Sequence, residues 1–86
     1  MQVRGRVARA WDAALLQAAQ PWGTPPDHLP PLSAARWLGQ RGYPGAGELE
    51  ALAWLHYRVR YGGEDDATLA AEAEEVASRA RAHERR

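Results

Sequence analysis

The sequence predicts an all-α fold, a small bundle of three to four helices with a proline-rich loop between the first and second. Two observations carry this. Four segments repeat apolar residues at steps of three and four, the spacing of one helix face, and no segment reads as a strand. Five of the six prolines crowd into residues 21–31, where they remove backbone donors and fix φ. At 86 residues the chain has room for one domain, 1–86, and no more. A domain this small buries only about 60–65% of the surface its unfolded chain exposes. Its four tryptophans and three tyrosines must therefore supply much of the core.

In the first segment Val3, Val7, Trp11, Ala14, Leu15 and Ala18 share a face, and Pro21 and Gly23 end the helix. WGTPPDHLPP follows as a stiff extended loop, with Trp22 and Trp37 expected to pin it down. The second helix opens near Pro31, a residue suited to the first helical position, and runs to about Arg41. Ala34, Trp37, Leu38 and Arg41 share its face, Gly42 is its expected C-cap, and YPGAG makes a turn.

The third helix, about Ala46 to Tyr61, carries two apolar stripes. Leu49, Leu52, Leu55, His56 and Val59 form one; Trp54, Tyr57 and Tyr61 form the other, at i, i+3 and i+7. A helix apolar on two sides is expected at the centre of a bundle, covered on both. The fourth, about Asp65 to His83, presents Leu69, Ala73, Val76 and Ala80, with Asp65 as N-cap. Its acids Glu72, Glu74 and Glu75 precede its bases Arg79, Arg81, Arg85 and Arg86, an order that suits the helix macrodipole. Glu75 and Arg79 form an i,i+4 pair.

Composition narrows the function. There is no cysteine, which excludes disulfides, thiolate metal sites and thiol nucleophiles. A formal net charge of zero argues against a general nucleic-acid or membrane-surface binder. No apolar run approaches the roughly 20 residues of a membrane helix. MQVRGRVAR lacks a signal-peptide core, so the chain as it stands reads as soluble.

No catalytic residue emerges from the motifs. Asp65 and Asp66, like Glu74 and Glu75, are adjacent, and adjacent helical residues point about 100° apart. His28, His56 and His83 lack carboxylates at ligand spacing, so neither a metal nor another cofactor is expected. Gly45 and Gly47 lack the third glycine, the lysine and the preceding strand of a phosphate loop. Arg58 and Arg60 lie about 160° apart on a helix and cannot form one basic strip. Arg4, Arg6 and Arg9 could neutralise about three phosphates, enough only for weak salt-sensitive attraction to nucleic acid.

The segment Leu55-His56-Tyr57-Arg58-Val59-Arg60-Tyr61-Gly62-Gly63 resembles the hallmark of a bacterial domain of unknown function. That domain lies at the C-terminus of membrane-anchored transglutaminase-like proteins (protein-glutamine gamma-glutamyltransferase-like). In the family a helix ends Leu-Tyr-Glu-x-Ala-Arg-Tyr-Gly and an acid-rich last helix follows. Leu55, Arg60, Tyr61 and Gly62 match; His56, Tyr57 and Val59 depart from it. The order of elements agrees over nearly the whole chain, although Pro30-Pro31 stands where the family opens its second helix with Thr-Pro.

The resemblance implies a non-catalytic cytoplasmic domain, excised from the C-terminal part of a larger membrane protein whose enzymatic domain lies elsewhere. Arg4, Arg6 and Arg9 would then form a juxtamembrane basic patch beside a membrane helix just upstream. The expected function is interaction or scaffolding, with an unknown protein or other domains of the parent chain as partner. The alternative is a standalone small helical adaptor or weak DNA-binding module.

Arg60, Tyr61, Gly62, Trp54 and Tyr57 are the candidate site, as a structural hallmark or a docking surface for a partner helix or a second copy. The structural expectation places the aromatics in the core. Tyr61 then packs on the first or last helix, Arg60 pairs with an acid or caps carbonyls, and Gly62 takes a special backbone conformation. On that expectation Tyr61→Ala costs ~3–5 kcal/mol.

Overall fold

A computed structural model describes residues 5–83. They form four helices and no strand: α1 (Arg6–Trp22), α2 (Pro31–Gln40), α3 (Ala46–Arg60) and α4 (Asp66–His83). Residues 23–30, the proline loop, carry no helix. α1 and α3 form the central pair. Each touches all three other helices, whereas α2 and α4 do not touch each other. Val3, Arg4, Arg85 and Arg86 lie outside the described residues.

One continuous core joins the four helices. α1 buries Val7, Trp11, Ala14 and Ala18, and α2 buries Ala34, Ala35 and Leu38. α4 contributes Leu69, Ala70, Ala73, Val76, Ala77 and Ala80. So many alanines let α4 lie close to α1 and α3, with little side-chain entropy lost on burial. α3 contributes Leu49, Leu52, Ala53 and Leu55, with Val59 packed at the edge.

On α3 the buried residues span an arc of about 160° at ~100° per residue. The expected second covered face does not exist. Trp54 is 53% exposed and Tyr61 is 74% exposed. The reason is numerical: α1, α2 and α4 fill the arc from Leu55 round to Ala53, and the described residues hold no fifth helix for the opposite side. α3 is central, as its two stripes suggested, but it shares that place with α1 and is covered on one side only.

The helix ends follow local rules where local residues suffice. Asp65 caps α4, its Oδ2 accepting from the Thr68 amide and hydroxyl, both at 3.1 Å. Gly42 has φ of 93° and closes α2 in a Schellman arrangement. The Tyr43 amide reaches back to the Leu38 carbonyl at 3.1 Å, and the Gly42 amide to Gly39 at 3.0 Å. α1 continues through Pro21 to Trp22 and ends at Gly23, φ 104°. Arg41 Nε donates to the Trp22 carbonyl at 2.6 Å, satisfying one of the acceptors that a helix end leaves open.

The N-terminus of α1 has no local side-chain cap. Asp66, 60 positions away, takes that role: its Oδ2 accepts from the Arg6 amide at 2.8 Å and its Oδ1 from the Val7 amide at 3.0 Å. Gly5 permits the approach, because a Cβ there would stand 2.6 Å from Asp66 Oδ1. The adjacent carboxylates Asp65 and Asp66 thus serve two different helices. Glu74 and Glu75 divide in the same way, Glu74 to Arg6 and Glu75 to Arg79.

Trp22 immediately precedes the proline loop, and the Trp37 ring, from α2, comes close to Gly23 at the same end of it. Trp22 meets Tyr43 edge-on at 5.0 Å between ring centroids, and the Arg41 guanidinium lies 4.7 Å from the Trp37 ring. Within the loop, Pro25 is buried.

Candidate functional site

The open side of α3 is built from its sequence periodicity. Residues 50, 54, 57 and 61 fall on one narrow stripe at ~100° per residue. Trp54, Tyr57 and Tyr61 form a continuous ladder: Trp54 meets Tyr57 edge-on at 5.7 Å, and Tyr57 lies 6.1 Å from Tyr61. Among the described residues only the middle rung takes a hydrogen bond. The Tyr57 hydroxyl accepts from the Leu32 amide at 3.1 Å, holding the first turn of α2. That oxygen satisfies an orphan helix donor that Pro30 has no side chain to reach. His56 stands beside the ladder, 6.2 Å from Tyr57.

Arg60 lies over Tyr61, its guanidinium carbon 5.5 Å from the ring centroid. This corrects both structural expectations for the pair. Tyr61 packs on neither α1 nor α4, and among the described residues Arg60 pairs with no acid. The cause is position. Tyr61 falls just past the last helical residue, on the side of α3 that no helix covers, so its nearest partners are Tyr57 and Arg60. Tyr61→Ala is therefore expected to change unfolding free energy by less than ~0.5 kcal/mol, the range of ordinary surface substitutions. Chemical denaturation checks it; a loss of several kcal/mol would return Tyr61 to the core.

The turn after α3 also differs from expectation. The left-handed residue is Gly63, φ 72°, not Gly62. Gly62 is needed for space instead: a Cβ there would stand 2.8 Å from the Arg58 carbonyl oxygen. That carbonyl accepts from the amides of Gly62 at 3.1 Å and Glu64 at 3.2 Å, which folds the chain tightly back.

Arg58 braces the turn with a bidentate grip on Glu64, Nη2 donating to Oε1 at 2.8 Å. This hydrogen bond holds the Glu64 carboxyl below the usual range and raises the Arg58 guanidinium above its own. Because folding lowers the Glu64 pKa, its stabilising contribution is complete above the unfolded value and is lost as pH falls through the folded value. An NMR titration of the Glu64 side chain is expected to give a midpoint below that of an unstructured glutamate, and Arg58→Ala to restore the ordinary midpoint.

Of the three N-terminal arginines, two lie among the described residues. Arg4 lies outside the described residues, Arg9 is exposed, and Arg6 grips Glu74 with two bonds of 2.8 and 3.1 Å. Arg6 thereby fastens α1 to α4. His83 does the same for α4 and α3, its Nε2 2.9 Å from Glu48 Oε1. Among the described residues no three metal-ligating side chains gather, and no helix is long and apolar enough to cross a membrane.

Sequence periodicity also missed a groove of about 410 Å³ between α1 and the proline loop. Leu15, Leu16, Pro25, Pro26 and Leu29 line it, with Asp12 and Asp27 among its walls. Leu16 is 67% exposed there. It lies off the buried stripe of α1, next to Leu15, and a large apolar residue off that stripe is the one signal the sequence offered. Comparison of the chain with protein-family models, curated proteins and solved structures finds no match.

Proposed function

We propose that this chain is a non-catalytic interaction or scaffolding domain, working from the cytoplasmic side of a membrane-anchored transglutaminase-like protein. The observation that carries the interaction reading is the ladder on α3. A domain with this little core leaves Trp54 and Tyr61 largely in solvent, flanked by an arginine that favours aromatic and acidic partners. Tryptophan, tyrosine and arginine are the residue types that dominate binding energy at protein interfaces. The anchored Tyr57 keeps the ladder in place, so little order has to be gained on docking.

The parent architecture rests on the resemblance of Leu55, Arg60, Tyr61 and Gly62 to the family hallmark and on the order of elements. Of these, Arg60, Tyr61 and Gly62 stand at the open end of α3, while Leu55 is buried in the core. The adaptor reading draws on the same ladder; the DNA reading is weaker, because Arg6 is engaged by Glu74.

An immunoblot of fractionated source cells tests the architecture, using an antibody against this domain. The expected band is much larger than 86 residues and pellets with membranes. A soluble band of this chain's own size would overturn the membrane-anchored reading and leave the standalone adaptor.

A further inference from the structure

We infer that the partner of the α3 ladder is a second copy of this chain, paired antiparallel about a two-fold axis between residues 55 and 56. This assignment rests on the reading of the ladder as a docking surface and names its occupant.

A two-fold interface must be self-complementary: what residue i presents, residue j must accept, and the reverse. The exposed stripe of α3 meets that condition in one register. Antiparallel pairing about residues 55 and 56 sets Trp54 of one copy against Tyr57 of the other, and Glu50 against Tyr61. All four residues lie on the same stripe, so both pairings and their symmetric equivalents form together. Charge agrees with shape. Glu50 sits toward the N-terminal end of the stripe and Arg60 beside its C-terminal end. Antiparallel pairing brings the acid of each copy to the hydroxyl of Tyr61 and the guanidinium of Arg60 in the other.

Glu50 is available for this exchange. Its only described ionic partner is Arg36, at 3.4 Å, and the two side chains are 37% and 61% exposed. Parallel pairing would oppose Arg60 to Arg60 and Glu50 to Glu50, and is disfavoured by like charge. Small residues at the N-terminal end of the stripe, Gly47 and Ala51, are exposed and let the partner's Tyr61 approach.

The helix that carries the ladder, α3, is 15 residues, or roughly 22 Å, long. One helix pair of this length covers less than the ~800 Å² per partner of a standard interface. The isolated chain should therefore associate weakly. Tethering to a membrane would raise the effective concentration and strengthen the pair.

Sedimentation equilibrium of the 86-residue chain tests the inference. The weight-average mass is expected to rise from monomer toward dimer as concentration approaches the millimolar range. Trp54→Ala and Tyr61→Ala should each weaken dimerisation by at least about tenfold, the loss of one interface anchor, with thermal unfolding unchanged. The absence of native cysteine permits a direct test of register. Glu50→Cys/Tyr61→Cys should oxidise to a covalent dimer, and neither single variant should. A chain that stays monomeric throughout overturns self-pairing, while the fractionation result for the parent architecture stands independently. A dimer that forms without the double-cysteine cross-link, or that tolerates both alanine variants, overturns this face as the interface.

Discussion

Tyr43→Ala is expected to cost about 3–5 kcal/mol, the range for truncating a buried aromatic, and so to remove much of the stability of a domain this size. Tyr43 is 4% exposed. Its ring packs edge-on against Trp22, and its hydroxyl reaches toward the Ala80 carbonyl at 3.5 Å. Gly45 shows how tightly the ring is held, since a Cβ there would stand 2.6 Å from the Tyr43 hydroxyl. The tyrosine thus joins the loop after α2 to the end of α1 and the last turns of α4. Tyr43→Phe keeps the ring and removes the hydroxyl with its long hydrogen bond to Ala80, and is expected to cost less, about 1 kcal/mol. Urea unfolding of both variants checks this. A small loss for Tyr43→Ala would mean that the ring is not the wedge described here. Against Tyr61→Ala, the comparison is internal: one residue type, one small domain, and a difference set by what covers the ring.

Removing the Asp66 carboxylate should be the second large effect. Asp66→Ala is expected to destabilise the chain by about 1.5–3 kcal/mol, the range for hydrogen bonds to a charged group. Two amides at the start of α1 lose their acceptor, and the negative charge leaves the positive end of the helix dipole. Gly5→Ala should act on the same contact from the other side, because its Cβ would collide with the carboxylate. A double-mutant cycle separates this from two independent losses. The two changes are expected to be strongly non-additive, Gly5→Ala costing little once Asp66 is alanine. Additive losses would show that Gly5 does not act through Asp66.

The two effects mark the boundary between what was legible in the sequence and what was not. Helix positions followed from periodicity, because an amphipathic stripe records where a helix must face its neighbours. Asp65 and Gly42 were legible as caps because a cap acts within a few residues of itself. Asp66 was not, since its acceptor role joins positions 60 apart, and nothing in the stretch EDDATL marks the second aspartate as belonging to α1.

The candidate site divides in the same way. That Trp54, Tyr57 and Tyr61 form one stripe was legible. Whether the stripe faced inward was not, because an apolar stripe reads alike when a neighbour covers it and when none does. The two-glycine turn after α3 was legible as a helix end. Which glycine takes positive φ was decided by the approach of the chain to the Arg58 carbonyl.

By itself, then, the sequence determined the helices, their order, the proline loop and the absence of thiol chemistry, because these depend on residues close along the chain or on composition alone. The tertiary structure decided which apolar face is buried and which remains open. That choice depends on how many helices can surround α3: three cover one arc of it, and Trp54 and Tyr61 are left in water on the other.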